Sequence, residues 1–147
     1  MTSESEKEFQ ELLAYVGFFA TEIWGVDPES DTHPARSIEA TLRQFGEPMA
    51  LIGLRQAAND TLEETLRWNV DARAFVDEAF RAGGVVTVSE IARRYSASYK
   101  RVLKRGQIRD ETEYYVINAV LIDQGNGISA GERTQLQSLI DMYDAHL

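Results

Sequence analysis

The sequence predicts an all-α protein, a single-domain bundle of short helices that covers residues 1–147. Apolar residues recur three and four positions apart in nearly every segment, whereas the alternation typical of a β-strand is almost absent. Signals for helix starts are frequent, which favours short helices. No linker rich in glycine and serine divides the chain, and its 147 residues are enough to bury an ordinary core without disulfide bonds.

The first two helices are predicted over roughly residues 4–24 and 34–45. In the first, one apolar stripe is formed by Phe9, Leu12, Leu13, Val16, Phe19, Ala20 and Ile23. Two prolines, a glycine and several small polar residues follow it and predict the longest loop of the chain. Pro34 suits the first turn of the second helix, and Gly46 suits its end.

The remaining helices are recognised by their caps. Residues 48–69 predict two helices or one bent helix, because Asp60 and Glu63 have the spacing of a capping box within that segment. A short helix over residues 71–82 ends at Gly83 and Gly84. Three further capping boxes are Thr87 with Glu90, Asp110 with Glu113, and Ser129 with Glu132.

The charge is banded along the chain, whose formal net charge is −9. Residues 1–34, 35–80, 81–109 and 110–147 carry net charges of −7, −3, +7 and −6. A partner would therefore meet a surface of alternating sign. The apolar run at residues 12–20 is too short to cross a bilayer and lacks the flank of a signal peptide, so we expect a cytoplasmic protein that does not bind membranes.

Enzyme, cofactor and metal sites find little support in the sequence. We find neither a glycine-rich phosphate loop nor a nucleophile with a local base partner, and the absence of cysteine excludes a thiolate zinc site. Acidic residues alternate from position 27 to 31, but the sixth and twelfth positions of a calcium loop hold Thr32 and Ile38. We therefore expect a non-enzymatic protein without cofactor, metal or small-molecule ligand.

Residues 88–105 predict two short amphipathic helices with basic outer faces. Apolar positions from Val88 to Tyr95, and again from Tyr99 to Leu103, share one face of each helix and leave the arginines and lysines on the other. These faces could bind DNA, contact a protein, or merely be solvated and neutralise acidic neighbours. Exposure of the basic residues together favours DNA, and pairing with carboxylates of residues 110–123 favours the solvated face.

The same stretch resembles the helix-turn-helix of bacterial DNA-binding regulators. The matching positions are Ile91, Ala92, Ser96, Ser98 and Val102, with Ser98 at the start of the second helix. The sequence departs from the pattern at Ser96, where glycine is usual, and at Arg105, where an inward apolar residue is usual. In this alternative the DNA-binding residues are Arg93, Arg94, Ser98, Lys100, Arg101, Lys104 and Arg105.

The last quarter is similar in layout to small helical bacterial proteins, some of which look like immunity or antitoxin proteins. The pattern is a basic turn, an acidic and aromatic helix, a short loop and a terminal helix. The matching residues are Arg105, Gly106, Ile108, Glu113, Tyr114, Tyr115, Leu136, Leu139, Ile140, Tyr143 and Asp144. The resemblance implies a protein that neutralises a toxin by binding it.

Our leading hypothesis is therefore a protein-binding factor that occludes the active site of a basic toxin domain, such as a nuclease. An acidic inhibitor can occupy a site built for polyanions, and its association is accelerated by charge. The expected partner-binding residues are Glu22, Asp27, Glu29, Asp31, Asp110, Glu111, Glu113, Tyr114 and Tyr115. The alternative is a helix-turn-helix DNA-binding regulator.

Overall fold

The helices of the protein confirm the all-α class. The computed structural model describes residues 3–66, 68–123 and 127–147, and all regular secondary structure in these residues is helical. Residue contacts group the chain into two units, called unit 1 (residues 1–63) and unit 2 (residues 64–147). The single domain over residues 1–147 stays a prediction.

Unit 1 contains helix α1 (Ser3–Glu22), helix α2 (Pro34–Phe45) and most of helix α3 (Glu47–Thr65). Helix α1 packs against α2. Five of the seven residues predicted for its apolar stripe are buried, together with Tyr15, whereas Leu13 and Ile23 are only partly buried. The hydroxyl groups of Tyr15 and Thr61 are 2.7 Å apart, so a hydrogen bond joins α1 to α3 inside the unit. A phenol can be buried in this way because its polar end has a partner.

Helix α2 has the predicted bounds, but its cap is His33. The imidazole is buried, and its Nδ1 accepts a hydrogen bond of 3.2 Å from the backbone N–H of Ala35. Because Nδ1 accepts, the ring proton lies on Nε2, which donates to Thr21 Oγ1 at 3.0 Å. One side chain thus starts α2 and ties it to α1.

We expect His33→Ala to lower the free energy of unfolding by about 1–2 kcal/mol, because it removes an N-cap and a buried hydrogen bond. Urea unfolding followed by circular dichroism measures the loss. Ser37→Ala, an exposed position of α2, is the matched control and should change stability by less than about 0.5 kcal/mol. Equal losses in the two variants would contradict the capping role.

Helix α3 is a single helix, and the capping box predicted at Asp60 and Glu63 is wrong. Both residues lie inside the helix. The buried positions continue at four-residue steps through Ala58 to Leu62, so the apolar face needs another turn where the local signal suggested a start. The Asp–x–x–Glu spacing also occurs inside helices, and here the packing of the apolar face keeps the helix continuous through it.

Unit 2 is built around one central helix. It contains α4 (Val70–Ala82), α5 (Val88–Tyr95), α6 (Ala97–Arg105), α7 (Glu111–Ile122) and α8 (Ala130–Ala145). Helix α7 packs against each of the other four. A cluster of buried residues lies around it and comprises Tyr99, Val102, Ile108, Val116, Ile117, Val120, Leu136, Leu139 and Ile140.

The N-caps of the three capping boxes predicted in unit 2 are confirmed. Each side-chain oxygen accepts from the backbone N–H three residues later, with distances of 3.0, 2.9 and 3.0 Å for Thr87, Asp110 and Ser129. Gly106 ends α6 in the left-handed conformation (φ 78°), where a side chain would be strained. The loop predicted between α7 and α8 includes residues 124–126, which lie outside the described residues.

Of the helices formed by the described residues, none combines the length and the apolar character that a membrane crossing requires.

Candidate functional site

Three basic side chains form a free cationic face on α6. Lys100, Arg101 and Lys104 are all exposed, and their spacing places them on one side of the helix. In the described part of the chain, none of the three lies within 4.0 Å of a carboxylate. We call this set the α6 basic face. Joint exposure of these three residues and Arg105 would favour DNA binding, and three of the four are exposed.

Arg105, the fourth residue, is paired instead. Its guanidinium donates two hydrogen bonds to the Glu113 carboxylate, at 2.8 and 3.1 Å, and so ties the end of α6 to α7. Glu113 also accepts from the backbone N–H of Arg109 at 2.8 Å. The helix-turn-helix pattern has an inward apolar residue at position 105, and here a bidentate ion pair takes its place.

The pKa of Glu113 is lowered, chiefly because its charged form accepts hydrogen bonds from Arg105. A carboxyl whose pKa is depressed on folding stabilises the native state above its unfolded pKa, and this contribution is lost as pH falls through the folded pKa. We therefore expect Glu113→Gln to be less stable than the wild type at neutral pH, and the difference to vanish under acid conditions. Urea unfolding across this pH range checks it; a constant difference would contradict it.

The arginines of α5 are also engaged within unit 2. Arg93 donates to Glu90 at 2.6 Å and reaches Glu132 on α8 at 3.4 Å, while Arg94 lies 3.5 Å from Glu90. The Tyr99 hydroxyl donates a hydrogen bond of 2.7 Å to the Glu132 carboxylate. Burial, and then the bond to Glu132, raise the pKa of Tyr99. Arg93, one of the two arginines predicted to contact DNA from α5, thus joins α5 to α8, and Tyr99 joins α6 to the same carboxylate.

The turn between α5 and α6 differs from the predicted one. Ser96 alone separates the helices, and its Oγ accepts from the backbone N–H of Tyr99 at 3.1 Å. Its backbone is extended (φ −70°, ψ 119°), so glycine's left-handed conformation is not used. The expectation that Ser98 starts the second helix is wrong, because the cap at Ser96 begins the helix at Ala97.

The predicted acidic loop of unit 1 is partly neutralised. Arg36 lies 3.0 Å from the Glu29 carboxylate and 4.0 Å from that of Asp31. Glu22 and Asp27 are exposed, and the Asp27 carboxylate accepts from the backbone N–H of Glu29 at 2.9 Å. Two of the four acidic residues expected here, Glu29 and Asp31, are therefore paired with an arginine of the same chain. Such exposed ion pairs contribute little to stability.

The predicted residues of α7 form a mixed acidic and aromatic patch. Asp110 caps the helix, and Glu111 accepts a hydrogen bond from the Tyr115 hydroxyl. The half-buried Tyr114 ring lies 5.9 Å from that of Tyr115 and 5.3 Å from that of Tyr143 on α8. The structure thus brings the predicted residues of α7 together and adds Tyr143, which was not among them.

The two units carry very different net charges. Unit 1 carries four basic and twelve acidic residues, a net charge of −8, whereas unit 2 carries eleven and twelve, a net charge of −1. Many carboxylates of unit 1 are exposed and have no ion pair within 4.0 Å among the described residues. They belong to Glu4, Glu6, Glu22, Asp27, Glu39, Asp60 and Glu63.

Comparison of this chain with models of protein families, with curated proteins and with solved structures finds no match.

Proposed function

We propose that the protein is a non-enzymatic binding factor of the immunity or antitoxin kind, which blocks the basic active site of a toxin with its acidic unit 1. The observation that carries this proposal is the concentration of net negative charge in unit 1, at −8 against −1 in unit 2. The exposed carboxylates of α1, α2 and α3 supply this charge without a neutralising partner among the described residues.

The mechanism is steric and electrostatic occlusion. A nuclease holds a polyanion in a basic cleft, so a protein with a dense negative field is attracted to the same cleft and arrives quickly. Once bound, it excludes the substrate by its volume. No chemical step by this chain is required, which agrees with the lack of a catalytic constellation in the sequence.

A two-stage binding experiment tests the proposal. The immobilised chain is exposed to a lysate of the native host, alongside a variant in which Asp60 and Glu63 are amides, and retained proteins are identified by mass spectrometry. Each protein that prefers the wild type is purified, and its catalytic activity is assayed with added chain. We expect a basic protein that is inhibited stoichiometrically. Retention of no basic protein, or retention without inhibition, would overturn the proposal.

A second candidate function, DNA binding, is favoured by the α6 basic face. Helix α6 is held in place by the bonds of Arg105 to Glu113 and of Tyr99 to Glu132. Its three exposed cations therefore form a rigid array suited to phosphates. Unit 2 has a net charge of only −1, so its own charge repels DNA phosphates little although the whole chain is acidic. The departure of the turn at Ser96 counts against a helix-turn-helix docking of the usual kind.

If DNA binds there, replacing Lys100, Arg101 and Lys104 together with alanine should weaken binding of a fluorescent duplex and flatten the slope of log affinity against log salt by roughly 2–3. Fluorescence anisotropy measures both quantities. The paired variant Lys7→Ala, Arg43→Ala removes two exposed cations of unit 1 and should leave binding unchanged. Absent binding by the wild type, or equal binding by the triple variant, would remove this candidate.

A further inference from the structure

Three large apolar side chains are exposed within a short stretch of the sequence where α2 is followed by α3. Phe45 ends α2 and is 61% exposed, while Met49 and Ile52, in the first two turns of α3, are 51% and 50% exposed. Met49 and Ile52 are three residues apart on one helix and so share a face. We call these three residues the α3 apolar stripe.

Met49 and Ile52 lie opposite the core side of α3. The buried positions of this helix in unit 1 include Ala50, Leu54 and Ala58, which leave Met49 and Ile52 on the outer side. Single exposed apolar residues are ordinary, but large apolar residues that share one exposed helix face are typical of an interaction surface. The core of unit 1 therefore does not account for this stripe.

The outer face of α3 changes from apolar to acidic along its length. After Ile52 it continues through exposed Gln56 to Asp60 and Glu63, which are eight and eleven residues further on. Neither carboxylate has an ion pair within 4.0 Å among the described residues. An apolar centre beside unneutralised charge has the anatomy of a protein interface, in which anchors are apolar and the surrounding charge selects the partner.

We propose that the α3 apolar stripe is the anchor by which the protein docks onto a basic protein partner, with Asp60 and Glu63 facing that partner's arginines and lysines. This inference rests on the proposed function and names the surface that performs it. The occupant is a partner with an apolar knob or groove bordered by basic residues, because a partner with acidic borders would be repelled by a unit of net charge −8.

Site-specific photo-cross-linking locates the surface directly. The full chain is made in the native host with p-benzoylphenylalanine at position 52, and a second preparation carries it at position 75 on α4. Phe75 is 77% exposed and lies in unit 2, so it reports background contacts of an apolar position that is more accessible than position 52. We expect position 52 alone to cross-link to a basic protein, at a peptide that contains arginine or lysine.

Calorimetry with that purified protein then separates the stripe from the charge. We expect the combined variant Phe45→Ser, Met49→Ser, Ile52→Ser to bind it at least about 30-fold more weakly, and Phe75→Ser to bind it like the wild type. Circular dichroism confirms that the variants are folded; these side chains are exposed, so their helix content should not change.

Two outcomes overturn the inference. Cross-linking of position 52 to a second copy of the chain, or to another part of the same chain, would assign the stripe to another occupant. Affinity of the combined serine variant equal to that of the wild type would show that the stripe is not the anchor. If that variant binds normally while the Asp60 and Glu63 amide variant loses binding and inhibition, the stripe has no role although the proposed inhibitor function stands.

Discussion

Association with the basic partner is expected to slow by about 10- to 100-fold when Asp60 and Glu63 are both replaced by lysine, since this changes the net charge of unit 1 from −8 to −4. The effect lies in the association rate because charges at the border of an interface act mainly on diffusional encounter. Stopped-flow mixing at low ionic strength measures it, and the difference should shrink near about 1 M salt, where the screening length is only about 3 Å.

A control with the same change in total charge tests whether position matters. Asp141 and Asp144 are exposed on α8 in unit 2, and their replacement by lysine alters the charge of the whole chain by the same amount. We expect this variant to slow association by less than about threefold. Equal slowing by the two variants would show that overall charge, and not the face of α3, governs the encounter.

Removal of the Tyr99 ring is expected to cost unit 2 about 3–5 kcal/mol of unfolding free energy, which is a large share of the stability of a small domain. The residue is only 1% exposed and lies in the core cluster around α7. Tyr99→Ala leaves a cavity and also deprives Glu132 of its hydroxyl donor. Chemical denaturation followed by circular dichroism measures the loss.

Tyr99→Phe separates the ring from the hydroxyl group. It keeps the buried ring and removes only the bond to Glu132, so we expect a loss of about 1–2 kcal/mol. If the alanine variant were no less stable than the phenylalanine variant, packing of the ring would not be what holds α6 in place. The α6 basic face would then lack the rigid support that we assign to it.

Local signals predicted most helix starts because the physics of a cap is local. An oxygen at the cap needs only a backbone N–H three residues away, and this geometry arises at Thr87, Asp110 and Ser129 as the spacing implies. The same spacing at Asp60 failed, because the apolar face of α3 continues past it. His33 escaped prediction because histidine is not among the preferred caps.

The side-chain network of unit 2 could not be predicted from periodicity. A helical pattern shows which arginines leave the core face, but not whether a long side chain finds a carboxylate on another helix. Arg93 meets Glu132 from a position 39 residues away, and Arg105 meets Glu113 across a turn. Arg93 and Arg105, which were predicted to contact DNA, form ion pairs within unit 2. Lys100, Arg101 and Lys104 are exposed.

The outer face of α3 was missed for a related reason. Met49 and Ile52 are apolar, and the sequence around them is apolar on several sides, so the pattern gave no sign that they leave the core. The periodic run of Ala50, Leu54 and Ala58 would have identified the buried side. The structure places Met49 and Ile52 on the exposed side of the helix, while Leu51 and Leu54 are buried.

The most direct test of the central claim is the activity of the cross-linked partner, assayed with increasing amounts of the chain at about 0.15 M salt. We expect complete inhibition near one equivalent by the wild type and by the Lys100, Arg101, Lys104 alanine variant, and little inhibition by the variant with lysine at positions 60 and 63. A partner that stays fully active in excess wild-type chain would contradict the claim that unit 1 blocks its active site.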